Sequence, residues 1–154
     1  MNSIGHLLFG QILLFFGAHS RVSLNTIIIT GLASILIDLE HVPRLGQAMK
    51  TLRFSPTTRT RWHELYGLFV LMSISTLVLF FSASVGRCLL IGFVSHYFLD
   101  LLTRPTRPLY PMSEKTIFLG LAPRGLRELV VYDTVLTITM GVIWAWSLHD
   151  SGFL

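Results

Sequence analysis

The amino-acid sequence predicts an all-α integral membrane bundle of about five helices, and three observations carry that expectation. Of its 154 residues, 52% are hydrophobic and only 13% charged, and the mean hydropathy is +0.65, well above that of an ordinary soluble domain. The apolar residues gather into five runs joined by connections without low-complexity linker or internal repeat, so one domain covering residues 1–154 is expected. Ten of the twelve Lys and Arg residues also fall on alternate connections, the asymmetry that orients membrane helices.

The first run, Ile4 to Ala18, is interrupted only by His6 and Gln11. At 1.5 Å per residue it reaches about 22 Å, short of the roughly 30 Å hydrocarbon core. A secretory signal is its rival, with Ala18-His19-Ser20 as a cleavage-like site, but Met1-Asn2-Ser3 lacks a basic start, and the run reads as a membrane helix. Val22 to Leu39 forms the second helix and closes on Asp38, Glu40 and His41. Val42 to Trp62 is basic and broken by Pro43 and Pro56, too polar to span, with Leu45 to Leu52 as a short surface helix. Leu65 to Ser84 is a full apolar run entered through His63 and Glu64, and Gly86-Arg87 is read as a tight return into Cys88 to Leu102. A proline-rich basic loop covers Thr103 to Glu128, and Leu129 to Leu148 crosses last, with Trp144 and Trp146 as an interfacial belt.

Five crossings place the N-terminus, the Val42 loop and the Thr103 loop on one face, and Arg21, Arg87 and the C-terminus on the other. The ten cations of the first face make it cytoplasmic, so topology accounts for the net charge of +4 and no nucleic-acid partner is expected. Anionic headgroups and phosphate-bearing substrates suit such a face. Cys88 is the single cysteine, which excludes an internal disulfide and any thiol-rich zinc motif.

The same topology gathers the metal-binding types of side chain at the cytoplasmic end. His6 opens helix one, Asp38, Glu40 and His41 close helix two, His63 and Glu64 open helix three, and His96 and Asp100 lie near the end of helix four. Glu128 and Asp133 bracket the start of helix five at the same level, whereas His19, His149 and Asp150 lie opposite. Ionisable groups at membrane depth are costly unless paired or coordinated. His96 and Asp100, four apart inside an apolar helix, share one face and can hold one ion. Alternatives stand beside this reading: His6 as an interfacial helix start, Asp38 with His41 as a hydrogen-bonded helix end, Glu40 as a solvated side chain, and His63 with Glu64 as a polar start suited to the helix dipole. The arginines are chiefly topology signals, with Arg59, Arg104 and Arg107 also able to orient a phosphate.

From Gly5-His6-Leu7-Leu8-Phe9 through Pro111 the chain resembles the YdjM-like family, taken to be membrane-bound metal-dependent hydrolases. Its Asp-Ile-Asp-His signature is similar to Asp38-Leu39-Glu40-His41, and its Gly-Tyr-Leu-Ser-His-x-x-x-Asp-x-Leu-Thr stretch to Gly92 through Thr103. A His-Arg-Gly-x-Thr-His-Ser segment corresponds to Thr58 through Glu64, which keeps Arg59 and His63 but has Thr58 for the first histidine and Glu64 for the serine. That family is in turn similar to the zinc-dependent phospholipase C and single-strand nuclease superfamily. The resemblance implies that Asp38, His63, His96 and Asp100 hold one divalent ion, Zn²⁺ by that likeness, with His6 and a bridging Asp100 near a second. With no His between His96 and His149, a complete three-metal cluster is not expected.

The expected function is a metal-dependent hydrolase cleaving a phosphoester in a lipid headgroup or another membrane-associated molecule, with Glu64 or Glu40 as general base. The alternative is a non-catalytic membrane protein whose polar cluster ties helices together, or a metal or proton carrier. A carrier wants ionisable groups at the bilayer midplane, where helices two, three and five offer only Asn25, Ser, Thr and Met.

Overall fold

The computed structural model describes residues 2–17, 22–41, 61–119, 121, 123 and 126–153, without the side chains of Glu40, His41, Arg61 and Leu126. Among them the chain forms five α-helices and no β-strand. These are α1 (Ser3–Gly17), α2 (Leu24–Leu36), α3 (Leu65–Phe81), α4 (Ala83–Thr103) and α5 (Leu126–Asp150). Two 3₁₀ turns add to them: Ile37–His41 extends α2, and Arg61–His63 leads into α3. The Leu45 to Leu52 surface helix, Arg59 and His19 lie outside the described residues.

Local chemistry sets the helix starts. Ser23 caps α2 in an extended conformation, its hydroxyl accepting from Thr26 N at 3.2 Å. Asn2 accepts from Gly5 N at 2.7 Å at the head of α1. The return between α3 and α4 falls at Ser82 rather than Gly86-Arg87: Ser82 ends α3 with an extended backbone and caps α4 through Val85 N at 3.4 Å. Gly86 sits inside α4 for a different reason, since a Cβ there would lie 2.7 Å from the Leu79 backbone nitrogen. Its lack of a side chain lets the two helices of this hairpin touch. The last helix starts at Leu126, three residues before the predicted start, with Glu128 in its first turn where the helix dipole favours an acid.

The central element is α4, which packs against α1, α2 and α3, while α5 leans on α1. Apolar clusters fill the contacts: Leu8, Ile12, Leu99 and Met140 join α1, α4 and α5, and Ala33, Ile37, Phe93 and Tyr97 join α2 to α4. Trp144 packs among these side chains and Trp146 points outward, so only the second suits the predicted belt. The outer surface is as apolar as the interior, with Phe16, Phe69, Phe80 and Phe81 exposed, whereas buried positions include Thr30, Ser34, Ser75 and Ser95. Small and hydroxylated residues inside with aromatics outside is the distribution of helices that pack in lipid. Helices over Ala83–Thr103 and Arg127–Asp150 are long and apolar enough to cross a bilayer; α1, the α2 segment and α3 are shorter apolar helices.

Candidate metal centre

Three helices meet closely where the centre is built. In Gly10 of α1 an added Cβ would collide with the Ser34 hydroxyl of α2, and in Gly92 of α4 it would lie 2.8 Å from the Thr30 carbonyl oxygen and 2.5 Å from Ala33 Cβ. Ser34 and Ser95 face each other across this seam at 3.4 Å. The close approach delivers the Ser34 carbonyl to His96, whose Nδ1 lies 2.8 Å from it. A carbonyl only accepts, so Nδ1 carries the proton and donates it, and the ring is fixed with Nε2 turned the other way.

His96 Nε2 points at two carboxylates, 3.9 Å from Asp38 Oδ1 and 3.8 Å from Asp100 Oδ2. Each carboxylate has a second histidine, His63 Nε2 at 3.5 Å from Asp38 Oδ1 and His6 Nε2 at 3.3 Å from Asp100 Oδ1. The His6 and His96 rings stack at 4.0 Å, and His63 meets His96 edge-on at 5.3 Å. All three imidazoles and Asp100 are buried, and Asp38 is half-buried.

The donor set fits a divalent ion. Ligand atoms bound tetrahedrally about 2.0–2.1 Å from Zn²⁺ stand about 3.4 Å from one another. Separations of 3.3 to 3.9 Å match that edge, and the His96 distances are too long for good hydrogen bonds. Donor atoms of His6, Asp38 and His96 lie within 4.8 Å of one another, as do those of His63, His96 and Asp100. Among the described residues, His96 Nε2 and His6 Nδ1 are buried atoms with no hydrogen-bond partner. A histidine that donates one ring nitrogen to a backbone carbonyl while the other faces carboxylates is prepared as a metal ligand.

A family model described as the YdjM inner membrane protein matches residues 1–151. The chain belongs to that family. The match runs through α5, beyond the Pro111 limit of the sequence resemblance, and makes the protein an inner membrane protein. No curated protein and no solved structure matches it.

The remaining candidates of this YdjM family member occupy the rim. Glu64, buried at the head of α3, caps no helix amide with its side chain; instead its Oε2 accepts from Arg107 N at 2.8 Å and holds the Thr103 loop to the helix end. Arg107 extends its guanidinium over the Tyr110 ring, 4.4 Å from the centroid. Arg104 is engaged by Asp133 of α5 at 3.2 Å. The side chains of Glu40 and His41, and the whole of Arg59, lie outside the described residues.

Sequence reasoning missed the supports. Tyr97 donates its hydroxyl to the Trp62 carbonyl, and Gly67 leaves room for that turn, since a Cβ there would strike the same carbonyl. This contact seats His63 against α4. The Gly10, Gly31, Gly92 and Ser34 positions carry a small-residue pattern that signals close packing, but which helix meets which is a tertiary fact.

Proposed function

We propose that this protein is a metal-dependent hydrolase that cleaves a phosphoester at the membrane surface, most directly in a lipid headgroup, with its centre toward the cytoplasmic leaflet. The observation that supports it best is His96, held by the Ser34 carbonyl and aimed at Asp38 and Asp100 at distances suited to a shared ion. His6, Asp38, His63, His96 and Asp100 would hold a divalent metal, Zn²⁺ by its preference for imidazole and carboxylate. A metal held there supplies Lewis-acid polarisation of a phosphoryl oxygen and a more acidic water. Arg107, on the loop that Glu64 docks, would hold the anionic substrate and product. Asp38 is the least buried of the five donors, which supports an approach of substrate from its side. The basic connections support a cytoplasmic position for this end by the positive-inside rule.

The test is metal analysis of the detergent-purified protein beside a phospholipid headgroup-release assay. Wild type is expected to hold a divalent ion and to release headgroup. His96→Ala and Asp100→Ala should each lose both. Full metal content in either variant would sink the assignment. A wild-type protein with no metal and no release under any divalent ion would leave a structural polar cluster instead, the reading that the His6–Asp100 contact between α1 and α4 favours.

A further inference from the structure

The loop between α4 and α5 has an exposed surface that the centre does not use. It leaves α4 at Thr103 and is pinched by an antiparallel bridge in which Thr106 N donates to Ile117 O at 2.9 Å and Ile117 N to Thr106 O at 2.7 Å. Residues 107–116 project beyond that bridge. At their turn Leu109 is 58% and Met112 94% exposed, and Leu119 and Leu121 are exposed just past the bridge.

Placement identifies what these apolar side chains face. The loop joins one end of Ala83–Thr103 to the start of α5, the two helices of membrane length. Arg104, just past the end of α4, pairs with Asp133, seven residues inside α5, and ties the two helices together where the loop leaves them. A segment strung between such ends lies at headgroup height. Around its apolar turn stand Arg107 and Lys115, with Glu114 as the one acid among residues 104–119. Apolar side chains flanked by cations are what anionic leaflets take up.

We propose that the 107–116 turn is a membrane-surface anchor, inserting Leu109 and Met112 into the leaflet, and that Glu64 couples this anchored loop to the metal centre through Arg107 N. The occupant is the lipid surface itself, a bilayer containing anionic headgroups. Because the anchor sits on the loop that carries Arg107, a headgroup lifted from the same leaflet is the substrate it presents. This last step rests on the proposed hydrolase activity, whereas the insertion does not.

The experiment uses the full chain in phosphatidylethanolamine–phosphatidylglycerol vesicles. Met112→Cys and Glu114→Cys are made in a Cys88→Ala background and labelled with an environment-sensitive fluorophore. The label at position 112 should emit at shorter wavelength and be quenched by lipid-borne nitroxide, while that at 114 should be quenched by aqueous iodide. Iodide quenching at 112 without nitroxide quenching overturns the anchor. Neither readout involves catalysis, so the result stands apart from the fate of the hydrolase reading. Given headgroup release by wild type, Met112→Asp should lower release from vesicles several-fold while leaving hydrolysis of a short-chain, water-soluble phosphodiester unchanged. Equal loss on both substrates overturns the coupling.

Discussion

His96 is the residue on which the proposed centre turns, because it is common to both groups of donor atoms that lie within 4.8 Å of one another among the described residues. His6 and His63 each belong to one such group. Removal of a ligand that serves two groups should cost more than removal of a ligand that serves one. Metal titration of the purified variants is therefore expected to rank His96→Ala as weakest, with His6→Ala and His63→Ala retaining measurable affinity. Glu64 separates two roles by the same logic. Glu64→Gln keeps an oxygen that can accept from Arg107 N, whereas Glu64→Ala does not. If docking is what Glu64 does, the Gln variant should protect the loop from trypsin at Lys115 as wild type does and keep most activity, and the Ala variant should be cut faster. Loss of activity in both with no change in proteolysis would make it the general base instead.

At the scale of elements, the α1–α2–α4 seam positions the centre without touching an ion. An added methyl at Gly92 must displace the Thr30 carbonyl and Ala33, a kind of overpacking that costs about 1–3 kcal/mol. It should also draw the Ser34 carbonyl away from His96, and loss of such an outer partner lowers metal affinity about 10–100-fold. Gly92→Ala should therefore show a lower thermal midpoint and weaker metal binding together. Gly17→Ala, where nothing lies within 4 Å, should change neither. The helices themselves were legible in the sequence because each is an apolar run, and His96 with Asp100 because four residues make one helical face. The turn at Ser82 was not, since a glycine is an equally good turn residue until the neighbouring Leu79 shows what Gly86 is for. Nor was the partnership of Arg104 with Asp133: 29 residues separate them, and no periodicity reaches across a loop.

For the whole molecule, the gathering of His6, Asp38, His63, His96 and Asp100 at one end followed from alternation alone, since successive helices that reverse direction bring every second connection to the same side. The structure reproduces that convergence although, among the described residues, two helices have full membrane length and the others are shorter. Sidedness rests on the distribution of cations, and it can be checked in intact cells and inverted vesicles. With Cys88 replaced by Ala, a membrane-impermeant thiol reagent should reach Lys115→Cys only from the cytoplasmic side and Asp150→Cys only from the opposite one. Labelling of both from the same side would mean that α5 does not cross the bilayer.

The five donors also bear on how the chain holds together, because they come from separate stretches, with Asp38 and His63 25 positions apart and a single helix pair in His96 and Asp100. An ion shared among them acts as a reversible cross-link between distant parts of the chain. Binding to the folded form alone would add stability in proportion to the logarithm of metal concentration, about 2.7 kcal/mol at a hundredfold excess over the dissociation constant. The thermal midpoint in detergent should thus climb with added divalent ion and fall with chelator, and His96→Ala should flatten that dependence. The same residues that would perform chemistry would then decide how long the protein survives in a membrane short of metal.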